Sequence, residues 1–455
     1  MIELKNKNVL VVGLGQSGLA AARFLKERGA RVTVSDARPA TLIAELGQLL
    51  DEGFMVESGG HGLLTFRRQD LIVVSPGVPF DVPELKQVRA MGAHIIGELE
   101  LGAEFLLGEV VAITGSNGKT TTTTLMGEIL KAAGRPTLVG GNIGRPVTAM
   151  VEESVAETWN VLEVSSFQLE TVETFKPRIA MVLNITPDHL DRHGSFENYW
   201  AAKARITEFQ TAEDFLVLNG EDVPTQKIAA KTKAQVYWFS AKRPIKQGAF
   251  VHGESIFFVP KEGAKAEPVM PVGEIPLAGA HNVENVLAAV CAARLAGVEA
   301  ATIRRAVAAF QAVEHRLEFV RELDGVRYYN DSKATNVDAT VKAVESFAGG
   351  IQLILGGKDK DSDYATISDL LRERVKTVIT IGSAAEKIER QLAGVVKIER
   401  AETMDRAVAM AQELAVAGDT VVLAPACASF DQFENYGHRG RVFKELVTKL
   451  VSSQQ

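Results

Sequence analysis

Three times along this chain a short run of β-branched and aliphatic residues ends in a glycine-rich loop, at residues 13–18, 115–118 and 356–357. Such a loop lets a strand turn sharply into a helix and lets an anionic group approach the backbone amides, as happens at the carboxyl edge of parallel sheets. The runs at 8–12, 31–35, 71–75, 110–114, 161–164 and 180–185 alternate with amphipathic stretches, which predicts an α/β chain of parallel sheets covered by helices. The segments around the three loops share no fixed period, so separate α/β domains are expected and not a solenoid. With 455 residues there is chain for about three domains. We expect an N-terminal Rossmann-like domain at 1–97 and a central P-loop ATPase-like domain at 98–312. A C-terminal Rossmann-like domain would occupy 313–455. Residues 237–277 read as short antiparallel strands inserted in the central domain, and residues 452–455 as a polar tail.

The balance of 50 basic against 57 acidic residues, net −7, supplies no electrostatic footprint for nucleic acid. A phosphate-bearing ligand must then be held locally, by loops and helix ends. Cys291 and Cys427 are too few for a disulfide framework and wrongly spaced for zinc, and both are expected in the core. The N-terminal sequence runs straight into a strand pattern without signal-peptide features, and no apolar run reaches the length of a membrane span. A cytoplasmic location without membrane insertion is expected.

Gly13-Leu14-Gly15-Gln16-Ser17-Gly18 matches G-x-G-x-x-G between a strand and a helix pattern, and Asp36 ends the next strand. Alone, this admits a nicotinamide-dependent dehydrogenase, a diphosphate-binding lobe of another kind, or a structural turn. Asp36 would accept hydrogen bonds from a ribose or base. Thr114-Gly115-Ser116-Asn117-Gly118-Lys119-Thr120-Thr121 has the logic of a phosphate loop: backbone amides cradle oxygens, Lys119 neutralises them, and the Thr120 hydroxyl ligates magnesium. The loop is shorter than the common pattern, because Ile113 stands where its first glycine would be. Glu163 closes a later strand, and Asp188 and His189 follow another. Glu163 is a candidate magnesium ligand and His189 a ligand for a second metal. The alternative for His189 is an ordinary surface or core histidine.

These residues resemble the Mur ligase family, which shares the short TGxxGKT loop, a DHxD segment and a YxxAKxRI motif. The last is represented here by Tyr199, Ala202, Lys203, Arg205 and Ile206, and the likeness spans essentially the whole chain. The resemblance implies that Lys203 is carbamylated and helps hold the second magnesium; read from the residue alone it is an exposed helix lysine. It implies that Asn282 and Asn285 of the HNVEN segment face adenine, the alternative for Asn282 being a helix cap. In the third domain His315-Arg316, the segment Asn330-Asp331-Ser332-Lys333-Ala334-Thr335-Asn336, Gly356-Gly357-Lys358-Asp359-Lys360 and Pro425-Ala426-Cys427-Ala428-Ser429-Phe430 resemble the branch that adds D-glutamate.

By that likeness the ATP site comprises Gly115, Ser116, Asn117, Gly118, Lys119, Thr120, Thr121, Asn282, Asn285, Arg316, Asp331 and Lys333. The UDP end falls to Gln16, Ser17, Asp36, Arg38, Ser75, Gly77, Asn142 and His189. The glutamate pocket falls to Lys333, Thr335, Lys360, Ser429, Phe430 and Tyr436, with Lys358 as the competing lysine. Lys119, Glu163, His189 and Lys203 would be catalytic, and Thr120, Glu163, His189 and Lys203 the Mg2+ ligands. The implied activity is ATP-dependent joining of D-glutamate to UDP-N-acetylmuramoyl-L-alanine through an acyl phosphate, in peptidoglycan precursor synthesis, by a monomer. Rival readings are a sister ligase for another amino acid, a folate polyglutamate ligase, the dehydrogenase above, and a nucleotide-switched binding protein without ligase chemistry.

Overall fold

A computed structural model describes residues 2–277, 279–311 and 314–452. The expected boundary at 312/313 and all of the polar tail after Ser452 lie outside the described residues. Five strands, β1 (Asn8–Val12), β2 (Arg31–Asp36), β3 (Met55–Ser58), β4 (Leu71–Val74) and β5 (Ile95–Gly97), form a parallel sheet in the order β3-β2-β1-β4-β5. Val9, Leu10, Val11 and Val12 of the central strand are wholly buried, as a strand covered on both faces requires. The helix Gln16–Glu27 follows β1 at once. Its approach explains the third glycine of the motif: a Cβ on Gly18 would lie 1.9 Å from the Gly13 carbonyl oxygen.

The second sheet has nine strands: β6 (Glu109–Thr114), β7 (Thr137–Gly141), β8 (Trp159–Glu163), β9 (Ile179–Val182), β10 (Phe215–Asn219), β11 (Gln235–Ser240), β12 (Gly248–His252), β13 (Ser255–Val259) and β14 (Glu267–Pro271). Their order is β14-β13-β12-β11-β10-β9-β6-β8-β7. The segment expected as an antiparallel insertion is corrected in part. β11 pairs parallel with β10 and β12 parallel with β11; antiparallel pairing begins only at β12–β13 and continues to β14. These strands extend the edge of the main sheet, because hairpin-length loops permit antiparallel return whereas β11 arrives by a helical crossover, Val223–Ala229. The third sheet, β15 (Glu318–Leu323), β16 (Val326–Asn330), β17 (Ile351–Gly356), β18 (Val375–Ile381), β19 (Lys397–Glu402) and β20 (Thr420–Leu423), has the order β15-β16-β20-β17-β18-β19, parallel except at β15–β16. Both cysteines are buried, as expected.

The chain packs into two compact units. Met1–Ile185, Glu197–Pro271 and Leu287–Ala306 make the first, with the first two sheets; Thr186–Phe196, Val272–Val286 and Val307–Gln455 make the second, with the third sheet. In the first unit the helix Glu98–Ala103 follows β5 and buries two acids. Glu100 accepts from the Thr174 and Phe175 amides. Glu98 accepts from the Thr148 amide at 2.7 Å and its hydroxyl at 2.9 Å, while its Oε2 meets no donor among the described residues. Desolvation pushes the Glu98 carboxyl up to about 7 against those bonds. A carboxyl held above its unfolded value keeps its proton in the folded state, so the contribution of Glu98 to stability is fully present below about pH 4 and is lost as pH rises through about 7. The Tm of wild type should therefore fall between pH 5 and 8 relative to Glu98→Gln, which has no proton to lose, by the equivalent of roughly 1–3 kcal/mol. Calorimetry of both proteins at the two pH values checks this, and parallel shifts would contradict it.

Candidate active site

The first sheet builds its site at the carboxyl ends of three adjacent strands, β2, β1 and β4. A cavity of about 420 Å³ opens there, and all the residues assigned to the UDP end except His189 line it, together with Gln168. Asp36 lines this cavity with its carboxylate engaged by the protein. Its carboxylate accepts from the Leu14 amide at 2.7 Å and from the Arg38 amide, Nε and Nη2 at 2.8–2.9 Å. Burial opposes its ionisation, but the bonds from Arg38 and Leu14 win and hold the carboxyl down at about 2. Arg38 also donates to the Leu14 carbonyl at 3.0 Å, so its half-exposed guanidinium is a fixed cation at the cavity wall. Ser75 Oγ donates to the Gly13 carbonyl at 2.7 Å and ties β4 to the glycine loop. Gln16 Nε2 donates to the Gly144 carbonyl at 3.1 Å, which brings the loop after β7 to the same cavity.

The second sheet repeats the device at β8, β6 and β9. The phosphate loop leaves β6, turns through Gly115 and Gly118, both at positive φ (156° and 85°), and enters the helix Lys119–Ala132. The first-turn amides of a helix point outward along its axis, so this end suits phosphate oxygens. Asn184, just past β9, holds the loop from beside it: its backbone carbonyl accepts from the Ser116 amide at 2.9 Å and its Oδ1 from the Asn117 amide at 2.8 Å. Lys119 Nζ donates to the Gly115 and Ser116 carbonyls at 2.8 and 2.9 Å. Thr120 Oγ1 donates to the buried Glu163 carboxylate at 2.7 Å, and Asn142 Nδ2 donates to its other oxygen at 2.9 Å. Thr121 is buried in the same turn. Lys203 is not the exposed helix lysine of the plain reading: it is 2% exposed, donates to the Gly115 carbonyl at 2.8 Å and lies 4.7 Å from the Tyr199 ring centre.

In the third sheet the adjacent strands are β16, β20 and β17, and the loops after them carry the Asn330–Asn336, Pro425–Phe430 and Gly356–Lys360 motifs. Arg316 lies between His315 and Leu317, both left-handed at φ 65° and 43°. Desolvation pushes Asp331 up to about 6, opposed by the charge of Arg316, the Leu317 amide and Lys333, which brings those three residues of the motif together. Lys333 Nζ sits 5.0 Å from the Tyr436 ring centre. Ser429 is buried, Thr335 half-buried, and Phe430 exposed. Lys360 is 17% exposed with Asp188 Oδ1 at 3.7 Å, whereas Lys358 is exposed. His189, also in the second unit, has a left-handed backbone at φ 53° and donates its amide to Asp188 Oδ1. Asn282 and Asn285 lie inside the helix Ala280–Leu295 with Asn285 Nδ2 donating to Asn282 Oδ1 at 3.0 Å, which sets aside the cap reading of Asn282.

Sequence reading missed Gln168, whose only signal was its place two residues beyond Ser166 in the strand-to-helix turn after Glu163. It also missed Arg439, a wholly buried guanidinium that donates to Ser332 Oγ and to the Ser332 and Cys427 carbonyls at 3.0, 2.7 and 3.1 Å. An arginine between glycines near a helix start was the available sign.

The phosphate cradle with its hydroxyl–carboxylate pair suits a nucleotide-using enzyme, and the chain belongs to the Mur ligase family, whose members are ATP-dependent ligases. Residues 7–97 match the MurD-like N-terminal domain of that family, 113–293 the Mur ligase middle domain and 315–427 the Mur ligase glutamate ligase domain. The chain is 64% identical to the UDP-N-acetylmuramoylalanine–D-glutamate ligase of Acidobacterium capsulatum, over 98% of this chain and 97% of that protein. It is 57% identical to the protein of the same name from Koribacter versatilis, over the full length of both. Among solved structures, the pseudomurein peptide ligase type C of Methanothermus fervidus aligns at 21% identity and TM-score 0.62, covering 98% of this chain and 100% of the other. The MurF ligase of Thermotoga maritima in complex with ADP aligns at 15% identity and TM-score 0.58, covering 98% and 96%. At those identities the solved structures speak for the fold.

Proposed function

We propose that this protein joins D-glutamate to UDP-N-acetylmuramoyl-L-alanine at the expense of ATP, giving ADP and phosphate, in cytoplasmic peptidoglycan precursor synthesis. The observation that carries this reading is the 64% identity, end to end, with a ligase of that name. The division at 1–97, 98–312 and 313–455 is part of the proposal, as are a monomeric state and a cytoplasmic location; among the described residues no helix is long and apolar enough to cross a membrane. The sheet ends suggest the division of labour. The cavity with Arg38 takes the UDP end, the loop at Lys119 takes the phosphates of ATP, and the loops with Lys333, Thr335, Lys360, Ser429, Phe430 and Tyr436 take D-glutamate. Asn282, Asn285, Arg316 and Asp331 would complete the nucleotide site.

A carboxylate is a poor electrophile until phosphorylation of one of its oxygens makes it a mixed anhydride with a good leaving group. The substrate carboxylate therefore attacks the γ-phosphorus of ATP, ADP leaves, and the D-glutamate amine then attacks the acyl carbon with loss of phosphate and a proton. Lys119 offsets the repulsion between the approaching anions. The Thr120 hydroxyl and Glu163 carboxylate, 2.7 Å apart, are the hard oxygen donors that Mg2+ takes, and His189 and a carbamylated Lys203 would serve a second ion. Bound Mg2+ supplies further neutralisation of phosphate charge.

Incubation with UDP-N-acetylmuramoyl-L-alanine, ATP and a panel of amino acids, read by product mass, tests the reading. A product with an amino acid other than D-glutamate would assign the chain to a sister activity. Lys360 should be the glutamate lysine, since it is sheltered and Lys358 is not. Lys360→Met should raise the KM for D-glutamate roughly 10–100-fold and far more than that for ATP, the size of a charge-assisted contact. Equal effects on both substrates would point to Lys358.

A further inference from the structure

The loop that carries Lys360 is bonded to a hydroxyl that none of the motifs contains. Tyr364, wholly buried at the start of the turn Tyr364–Ile367, donates its phenolic proton to Asp359 Oδ1 at 2.7 Å. The same oxygen lies 2.9 Å from Cys427 Sγ, in the loop after β20. A carboxylate only accepts, so the phenol proton belongs to Asp359 and the thiol donates to the phenol oxygen. Burial pushes the Cys427 thiol up to about 12, which keeps that donor protonated. Asp359 is held a second time from the solvent side, where Lys387 Nζ donates to its Oδ2 at 2.6 Å. One residue earlier, Lys358 and Ala428 exchange backbone hydrogen bonds at 2.8 and 3.0 Å, beside Ser429. The turn itself is anchored by the Tyr364 amide on Gln391 Oε1 at 2.8 Å.

We propose that Tyr364 is a positioning residue for the amino-acid substrate: by clamping Asp359 between β17 and the loop after β20, it sets Lys360 facing into the site and keeps Lys358 in solvent. The proposal rests on the reading of Lys360 as the glutamate-carboxylate cation. Residues 358 and 359 are fixed on both sides, so the chain leaves Asp359 in one direction and the Lys360 side chain inherits it. Without the phenol hydroxyl, Asp359 Oδ1 keeps only the longer Ser362 amide bond at 3.2 Å, and the loop gains freedom at the residue that precedes Lys360. Binding then carries an ordering cost that falls on the substrate held by Lys360 and on no other.

The test uses the full-length protein with Tyr364→Phe, Lys387→Met and the double variant, with KM for D-glutamate, KM for ATP, kcat and Tm measured for each. Tyr364→Phe should raise the KM for D-glutamate about tenfold, with the ATP KM and kcat within about twofold of wild type. Lys387→Met reaches the same carboxylate without disturbing the core and should shift the same KM in the same direction, and the double variant should exceed either. A merely structural hydroxyl would lower Tm and shift both KM values together, which overturns the proposal. An unchanged D-glutamate KM in all three variants overturns it as well, while leaving the ligase reading intact. Wild type that releases no phosphate in response to D-glutamate would sink the ligase reading, and this proposal with it.

Discussion

Lys119→Met should reduce turnover about a thousandfold or more while leaving the fold and the affinity for the UDP substrate close to wild type. The side chain stands at the first position of the helix Lys119–Ala132, and its ammonium already bridges the Gly115 and Ser116 carbonyls. It is therefore held at the loop proposed to receive phosphate. A thousandfold loss corresponds to about 4 kcal/mol of transition-state stabilisation, the size expected when a cation aimed at developing phosphate charge is removed. Methionine keeps the length and apolar stem, so loop packing is preserved. The UDP cavity is lined by other residues, from the first sheet and the loop after β7. Steady-state rates beside calorimetric titration with the UDP substrate separate the two effects. Substantial ATP-dependent turnover in Lys119→Met would mean that the loop after β6 is not the phosphate cradle.

The strands and the glycine loops were legible in sequence because both report local chemistry: aliphatic runs such as Val9 to Val12 and glycines at positive φ announce themselves. Pairing direction was not local, and it was there that the reading of residues 237–277 failed in part. Nothing in the Gln235–Ser240 sequence says that its neighbour will be the parallel β10 and not a hairpin partner. The same distinction runs through the sites. Lys119, Thr120 and Glu163 sit in motifs whose spacing carries the chemistry. That Asp36 is also held by Arg38, two residues on, could not be known from the sequence. Tyr364 meets Cys427, Arg439 meets Ser332, and Gln168 joins the lining of the first-sheet cavity, each across a long stretch of sequence that only the fold brings together.

Strand order gives the three sheets a common plan. Each presents three adjacent parallel strands, β2-β1-β4, β8-β6-β9 and β16-β20-β17, and each gathers its chemistry at their carboxyl ends. Parallel strands aim every loop that leaves them in one direction, so residues far apart in sequence converge without any long loop. Close packing there also favours glycine: a Cβ on Gly18 would lie 1.9 Å from the Gly13 carbonyl in the preceding loop, one on Gly115 3.1 Å from Leu183 just past β9, and one on Gly356 2.1 Å from the Ile381 carbonyl in β18.

Lys203→Ala should also lose nearly all turnover, and Lys203→Arg should do no better. The two readings of this residue now differ in a new way, because the structure buries it. As an amine, Lys203 is satisfied by the Gly115 carbonyl at 2.8 Å, the Thr114 hydroxyl at 3.4 Å and the face of Tyr199. On that reading it is a cation that braces the phosphate loop, and arginine, a longer cation with more donors, should keep part of the activity. The resemblance implies instead that the neutral amine adds to carbon dioxide and sheds a proton, which leaves an anion with hard oxygens suited to magnesium. A guanidinium cannot follow that path. In Lys203→Ala a small added carboxylate would restore part of the rate, since the truncated side chain leaves it room; in Lys203→Arg it would restore none. Isotope-labelled bicarbonate gives a readout independent of turnover: a carbamate resonance in wild type, absent from both variants. Near-wild-type rates in Lys203→Arg, with no carbamate signal in the wild type, would establish the residue as a loop-bracing cation.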